Sequence, residues 1–359
     1  MSARAASLGL LSLVSLVACG SDDSSSVNRA SDSGTSSGSD ASTASDAGST
    51  PGGDATADAG ACAYPSAGGA VNKVKYVFVI AMENHDSGEI IGNATNAPYI
   101  NGSLVPCYAS TSNFNDPLPI LIPSEPHYVY MEAGTNAFAD TTFTSDADPS
   151  APNSTSSTLH LSTQLDGAHV SWRSYQQGLT AGGTGACPIH SSGDYAAKHD
   201  PYVFFQDVAG NPPASDNAYC SAHHSALTAL ATDLSSASVA SYNFITPDLC
   251  HDMHGAGDCS NANAVQAGDQ FLQETLPALI SFAFANDGVI YVVWDEGDTS
   301  LRIPFLAIGP GVKRGYLGGV SYTHGSLIAT TERVFGVPRL ATVTAASDFA
   351  DLFQAGALP

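Results

Sequence analysis

Two short apolar runs, each closing on a cluster of oxygen donors, limit what this chain can fold into. YVFVIA, Tyr76 to Ala81, is continuous and rich in β-branched residues, and it leads into Glu83, Asn84 and His85. VIYVVW, Val289 to Trp294, has the same character and leads into Asp295, Glu296 and Asp298. A strand without polar alternation is buried on both faces, as in a parallel sheet covered by helices. Further apolar runs at Val239–Ile245 and Ile303–Ile308 end in TPD and GPG. Helical patterns lie at Ser225–Leu234, Val265–Phe284 and Ser326–Phe335, the last stopped by Gly336 and Pro338. Strands alternating with helices predict an α/β sheet, whose ligands gather outside the carboxyl ends of its strands.

The polar clusters sit at those ends. Glu83 with Asn84, and Asp295 with Glu296, can present four hard oxygen donors to one cation. Either pair alone reads equally well as a turn or a helix cap; the two together favour a metal. Ser124 lies in PSEPHYVYMEAG, where Pro126 can begin a helix and Gly134 can end it. It is either an N-cap or a nucleophile that shares the helix entrance with a bound phosphate. DLCHDMH, Asp248 to His254, follows a strand and is dense in titratable groups, and His324 stands at the entrance of the last helix. His85 and His127 lie beside the proposed ligands without an assigned role.

The N-terminus reads as an export signal, residues 1–19, with an apolar stretch from Leu8 to Val17 and a lipobox, LVAC, ending at Cys19. Acylated Cys19 would anchor the protein at the bacterial cell envelope, in the outer membrane. Residues 20–60 are almost wholly Ser, Asp, Gly, Ala and Thr, which cannot bury a core and read as a solvated tether. The body, residues 61–359, has the length of one large α/β domain. Its longest apolar stretch, Leu276 to Trp294, is broken by the turn signal Asn286-Asp287-Gly288, so it does not span a bilayer.

A formal net charge of -23, from 34 acidic against 11 basic residues, argues against nucleic-acid binding. The same charge means that an anionic substrate needs a local cation. Of seven cysteines, Cys19 belongs to the lipobox; the rest form an even set, expected to pair in sequence as 62 with 107, 187 with 220 and 250 with 259. No G-x-S-x-G elbow is present in the body, residues 61–359, which argues against the α/β-hydrolase type of serine esterase. A surface lipoprotein that only captures a ligand remains a reading, though it would need neither Ser124 nor a metal.

Taken together, the segments resemble the bacterial and fungal phosphoesterases that include acid phosphatases and phospholipases C, within the alkaline phosphatase-like superfamily. The resemblance rests on ENHDSGEIIG, PSEPHYVYMEAG, SWRSYQQG, KHDPYVFF, TPDLCHDMH, GDQFL, VVWDEGD, IGPGVKRG and YTHGS, in that order, between Val74 and Leu340. It implies an alkaline phosphatase-like α/β/α sandwich with a central, mostly parallel sheet. It implies Glu83, Asn84, Asp295 and Glu296 as ligands of one divalent metal ion, and Ser124 as a nucleophile passing through a phosphoserine. His254 and His324 match histidines near the phosphate, with Asp252 in support. The acid phosphatase branch is the nearer match, with a phospholipase C-type phosphodiesterase as the alternative. Two positions depart from the family's usual residues: His127 where many relatives carry Asn, and Phe271 where many carry Trp. The all-oxygen ligand set leans toward calcium or magnesium and leaves zinc open.

Overall fold

The computed structural model describes Cys62 and residues 72–179, 185–256 and 259–359. The expected signal, lipobox and tether lie outside the described residues. Eight strands form one sheet: β1 (Tyr76–Met82), β2 (Ala109–Thr111), β3 (Trp172–Gln176), β4 (His224–Ala226), β5 (Tyr242–Thr246), β6 (Gly288–Trp294), β7 (Phe305–Ile308) and β8 (Tyr316–Gly318). Their order is β4-β3-β5-β1-β6-β7-β2-β8. Only the two pairings of β7, with β6 and β2, are antiparallel. The α-helices among the described residues are α1 (Ser87–Ile90), α2 (Ser124–Ala133), α3 (Leu161–Gly167), α4 (Gln206–Ala209), α5 (Ala218–His223), α6 (Leu230–Ser235), α7 (Ala264–Asn286) and α8 (His324–Phe335).

The two apolar runs become the neighbouring central strands β1 and β6, nearly all of whose residues are buried. Alternation along β1 divides the core. Phe78 meets Phe282 of α7 edge-on at 5.8 Å. Val79 points to the other face, where its registered neighbour Phe244 meets Tyr128 of α2 and its other neighbour Tyr291 meets Phe349. Helices therefore cover both faces, which is the expected α/β/α sandwich with a mostly parallel sheet.

The helix ends are locally encoded. Asn263 caps α7 by accepting from Gln266 N–H, and Asp287 ends it in the left-handed region at φ 60°. Gly134 ends α2 at φ 68°, and a Cβ there would lie 2.4 Å from Val343 Cγ1. Both backbone and packing therefore demand glycine. No helix among the described residues is long and apolar enough to cross a membrane.

Two expectations fail in detail. Ser225–Leu234 is not one helix: His224–Ala226 pairs in parallel with β3, a 3-10 turn follows at Leu227–Ala229, and α6 begins only at Leu230. The open edge of β3 outweighs local helix preference there. The run Ile303–Ile308 is a strand only from Phe305, after Pro304, which has no N–H for a ladder. Because β7 is reversed, its Gly309-Pro310-Gly311 end faces away from the polar cluster. Disulfides join Cys62 to Cys107, Cys187 to Cys220 and Cys250 to Cys259, as sequential pairing predicts.

Candidate active site

Strands β1 and β6 run in parallel with Met82 opposite Trp294, so Glu83–Asn84 and Asp295–Glu296 leave the sheet side by side. Backbone bonds fix the exit: Asp295 N–H donates to Met82 O at 2.9 Å, and Glu83 N–H to Asp252 O at 2.8 Å. The second bond brings in the loop after β5. Met253 in that loop has φ 83°, and it packs so close to α7 that a Cβ at Gly268 would lie 2.3 Å from its Cγ. Strained backbone at such a turn is tolerated where the surroundings over-determine it.

Ser124 enters the same chamber from the first turn of α2. It is not the cap, which is Pro123. Its Oγ donates to Glu83 Oε2 at 2.9 Å and lies 3.3 Å from Glu296 Oε1. Asn84, at φ 41°, donates its backbone N–H to Asp295 Oδ1 at 3.1 Å. One end of its amide lies 2.8 Å from Glu83 Oε2 and 3.2 Å from Glu296 Oε1. A nitrogen there donates to both carboxylates; an oxygen there shares a cation with them. The four predicted ligands and the predicted nucleophile thus converge.

The chamber is short of positive charge. Glu83, Asp252 and Asp295 are buried and Glu296 nearly so. Burial pushes Asp252 and Glu296 up to about 7 and raises Glu83. Asp295 is raised well above the usual carboxylate range, by burial and then by the charges of Glu83 and Glu296. Glu83 Oε1 and Asp295 Oδ2 are buried without a hydrogen-bond partner. Such a donor set fits a divalent cation, which replaces the missing partners and favours the ionised carboxylates.

Nitrogen donors stand beside the oxygens. Glu83, His199 and Asp252 form one group whose ligand atoms lie within 4.8 Å of one another, and His127, Asp295 and Glu296 form another. The all-oxygen premise therefore falls away, and with it the lean toward a hard ion. His199 Nε2 is 3.2 Å from Glu83 Oε1, and its ring stacks on Tyr128 at 4.8 Å. Burial lowers the His199 pKa to about 4. His127 lies 3.0 Å from Asp116 and bonds the Pro123 carbonyl; burial opposes its charge, but Asp116 outweighs burial and raises its pKa.

The expected catalytic histidines occupy different settings. His254 is exposed, with its ring 6.4 Å from that of His199, and its backbone N–H donates to Asp252 Oδ1 at 2.7 Å. His324 is fully buried, and Nε2–H donates to Trp294 O at 2.9 Å. Burial lowers its pKa to about 4. His85 bridges Glu89 and the Met253 carbonyl, holding the loop. Sequence reasoning gave no role to His199 or Lys198, although both lie in the KHDPYVFF segment.

The model of the Phosphoesterase family matches residues 107–338, a span that takes in Ser124, His199, Asp252, Asp295, Glu296 and His324. The chain belongs to the Phosphoesterase family. This makes it a hydrolase acting on phosphate esters. It is 28% identical over 290 residues to a phosphatidylinositol-3-phosphatase of Mycobacterium tuberculosis, covering 80% of this chain and 85% of that one. It is 30% identical over 228 residues to a phosphate-repressible acid phosphatase of Penicillium chrysogenum, covering 61% of this chain and 50% of that protein, so it spans half of that relative's length. A solved chain from work on the metabolism of multiple glycosaminoglycans by Bacteroides thetaiotaomicron superposes with a TM-score of 0.51 at 10% identity, covering 78% of this chain and 82% of that one. That likeness concerns the fold alone.

Proposed function

We propose that this phosphoesterase is a metal-dependent phosphomonoesterase of the acid phosphatase type, acting through a phosphoserine at Ser124. The reading is carried by one observation: Ser124 Oγ lies between Glu83 Oε2 and Glu296 Oε1 at the entrance of α2. A divalent cation held by Glu83, Asn84, Asp295 and Glu296 would supply positive charge to the phosphate and acidify the serine hydroxyl. The rest is done by the chain. Ser124 Oγ loses its proton toward the carboxylate it already faces and attacks phosphorus in line, breaking the bond to the leaving oxygen. His254, exposed at the rim, protonates that oxygen; His324, neutral and committed to a carbonyl, positions the end of β6. Water, deprotonated by His254, then attacks phosphorus and displaces Ser124 Oγ, which takes its proton back from the carboxylate as phosphate is released.

Acid-quench trapping with a labelled phosphate ester, followed by peptide mapping, tests this. Label on Ser124 with net retention at phosphorus supports the scheme. Inversion with no trapped label overturns it, because water would then attack directly.

Lipid phosphates are a second reading, favoured by Leu121, 94% exposed only three positions before Ser124, and by Leu301, 43% exposed in the segment after Glu296. A panel of p-nitrophenyl phosphate, a diester, phosphatidylcholine and a phosphoinositide separates small-monoester, phospholipase C-type and lipid-phosphate activity. The acidic tether and lipobox support attachment through acylated Cys19. Cys19→Ala should abolish processing or release the protein from membranes, and unchanged processing with unchanged membrane retention would count against it.

A further inference from the structure

The entrance of α2 already carries an anion, and it belongs to the protein. The backbone N–H of Glu125, the residue after Ser124, donates to Asp146 Oδ1 at 3.0 Å. The Lys198 ammonium pairs with Asp146 Oδ2. Lys198 directly precedes His199, whose Nε2 lies 3.2 Å from Glu83 Oε1, so the segment that carries it borders the chamber around Ser124. One carboxylate thus takes both an amide donor next to the nucleophile and a nearby cation.

The loop that carries Asp146 is held by other bonds. Glu125 Oε2 accepts from Ala147 N–H at 2.7 Å and from Asn153 Nδ2 at 3.2 Å. The Asp146 side chain itself is 31% exposed. It can turn toward solvent while its backbone stays in place.

We propose that Asp146 is an internal counter-anion seated where oxygens of the substrate phosphate bind, so that it sets the affinity of the site for phosphate and phosphate monoesters. The inference rests on the phosphoesterase reading above. A phosphate arriving at Ser124 meets four buried carboxylates and needs local donors, and Glu125 N–H and Lys198 are the donors at that place. Exchange of one anion for another keeps both satisfied throughout, which avoids an unpaired lysine in an acidic pocket. The more highly charged phosphate makes the stronger charge-assisted bonds, so exchange runs toward substrate. Asp146 therefore subtracts from phosphate affinity and eases release of the product.

The test is calorimetric titration of inorganic phosphate into the metal-loaded protein, together with KM for p-nitrophenyl phosphate. Asp146→Asn keeps an oxygen for Glu125 N–H and removes the charge. It should tighten phosphate binding and lower KM by about fivefold, the effect of one partly screened charge. Asp148→Asn is the control: that carboxylate accepts from Ser191 N–H at 3.0 Å in the same loop, and its loss should leave both quantities unchanged. Unchanged or weaker phosphate binding in Asp146→Asn overturns the proposal. So does equal tightening in Asp148→Asn, which would mean that net charge or loop loosening is responsible. Should Asp146→Asn fail to fold, Asp146→Ser, with the Glu125 anchors intact, is read in the same way. Titration needs no turnover, so a wild-type protein that binds phosphate without hydrolysing the ester refutes the functional reading and leaves this test in force.

Discussion

His199 stands between two acids: Nε2 is 3.2 Å from Glu83 Oε1, and Nδ1 is 3.5 Å from Asp252 Oδ2. Neither contact is aligned as a hydrogen bond, and Glu83 Oε1, His199 Nε2 and Asp252 Oδ2 are all buried. On the proposed metal site, the ring would either join the ligands or orient Glu83. His199→Ala should weaken metal affinity by about tenfold to a hundredfold and reduce activity in parallel. Metal titration followed by assay checks it; full affinity in a folded variant would leave His199 a packing residue.

Ser124→Ala should lower kcat by about a thousandfold or more while phosphate binding survives, because the charge pattern around the hydroxyl stays in place. Steady-state kinetics beside phosphate titration separate the two. Loss of binding together with turnover would mean that the hydroxyl mainly shapes the pocket.

Buried acids give the metal-free protein a pH dependence with a definite sign. Asp252 and Glu296 are raised to about 7 when folded, against 3.8 and 4.5 for the free side chains. The native state thus holds protons that the unfolded chain has released, and stability falls as pH rises from about 4 to about 7. The Tm of chelated protein should drop across that window, and a divalent metal should restore it at pH 7.5. Chelation or Asp295→Ala should also abolish turnover. A flat Tm profile, or full activity after chelation, would remove the metal from the scheme.

His160 contributes with the same slope in a higher pH window, and as a stabilising charge. Burial alone would lower its pKa, but hydrogen bonds to Asp207 and Glu132 hold it at about 9. A folded pKa above the unfolded 6.5 gives stability that is full below 6.5 and lost as pH rises through 9. His160→Asn should cost about 3 kcal/mol at neutral pH by stranding Glu132 near the C-terminal end of α2. Denaturant melts at pH 7 and pH 9.5 should show the gap between wild type and variant closing.

The central strands and the meeting of the four oxygen donors at their ends were legible because an unbroken apolar run followed by acids leaves few other arrangements. Ser124 was ambiguous, since a serine at a helix entrance suits a cap as well as a nucleophile. The direction of its Oγ depends on Glu83 and Glu296, which are distant in sequence. His199 and Asp146 stayed hidden for the same reason: nothing local tells a loop histidine or aspartate that it faces β1 or α2. The strand at His224–Ala226 depended on an edge that β3 supplies. Reversal of β7 could not be read from an apolar run, which carries no direction.

Asn84 combines a left-handed backbone, φ 41°, with a side chain aimed at two carboxylates. Few amino acids can replace it. Glycine would relax the dihedral and take away the amide; aspartate would tolerate the dihedral and crowd a further acid into the chamber; a β-branched residue would be strained by about 1–2 kcal/mol. A single position thus answers to chain geometry and to the carboxylates around it at once; on the proposed metal site, homologues that have exchanged it should be sought among proteins that kept this fold but changed or lost an ion.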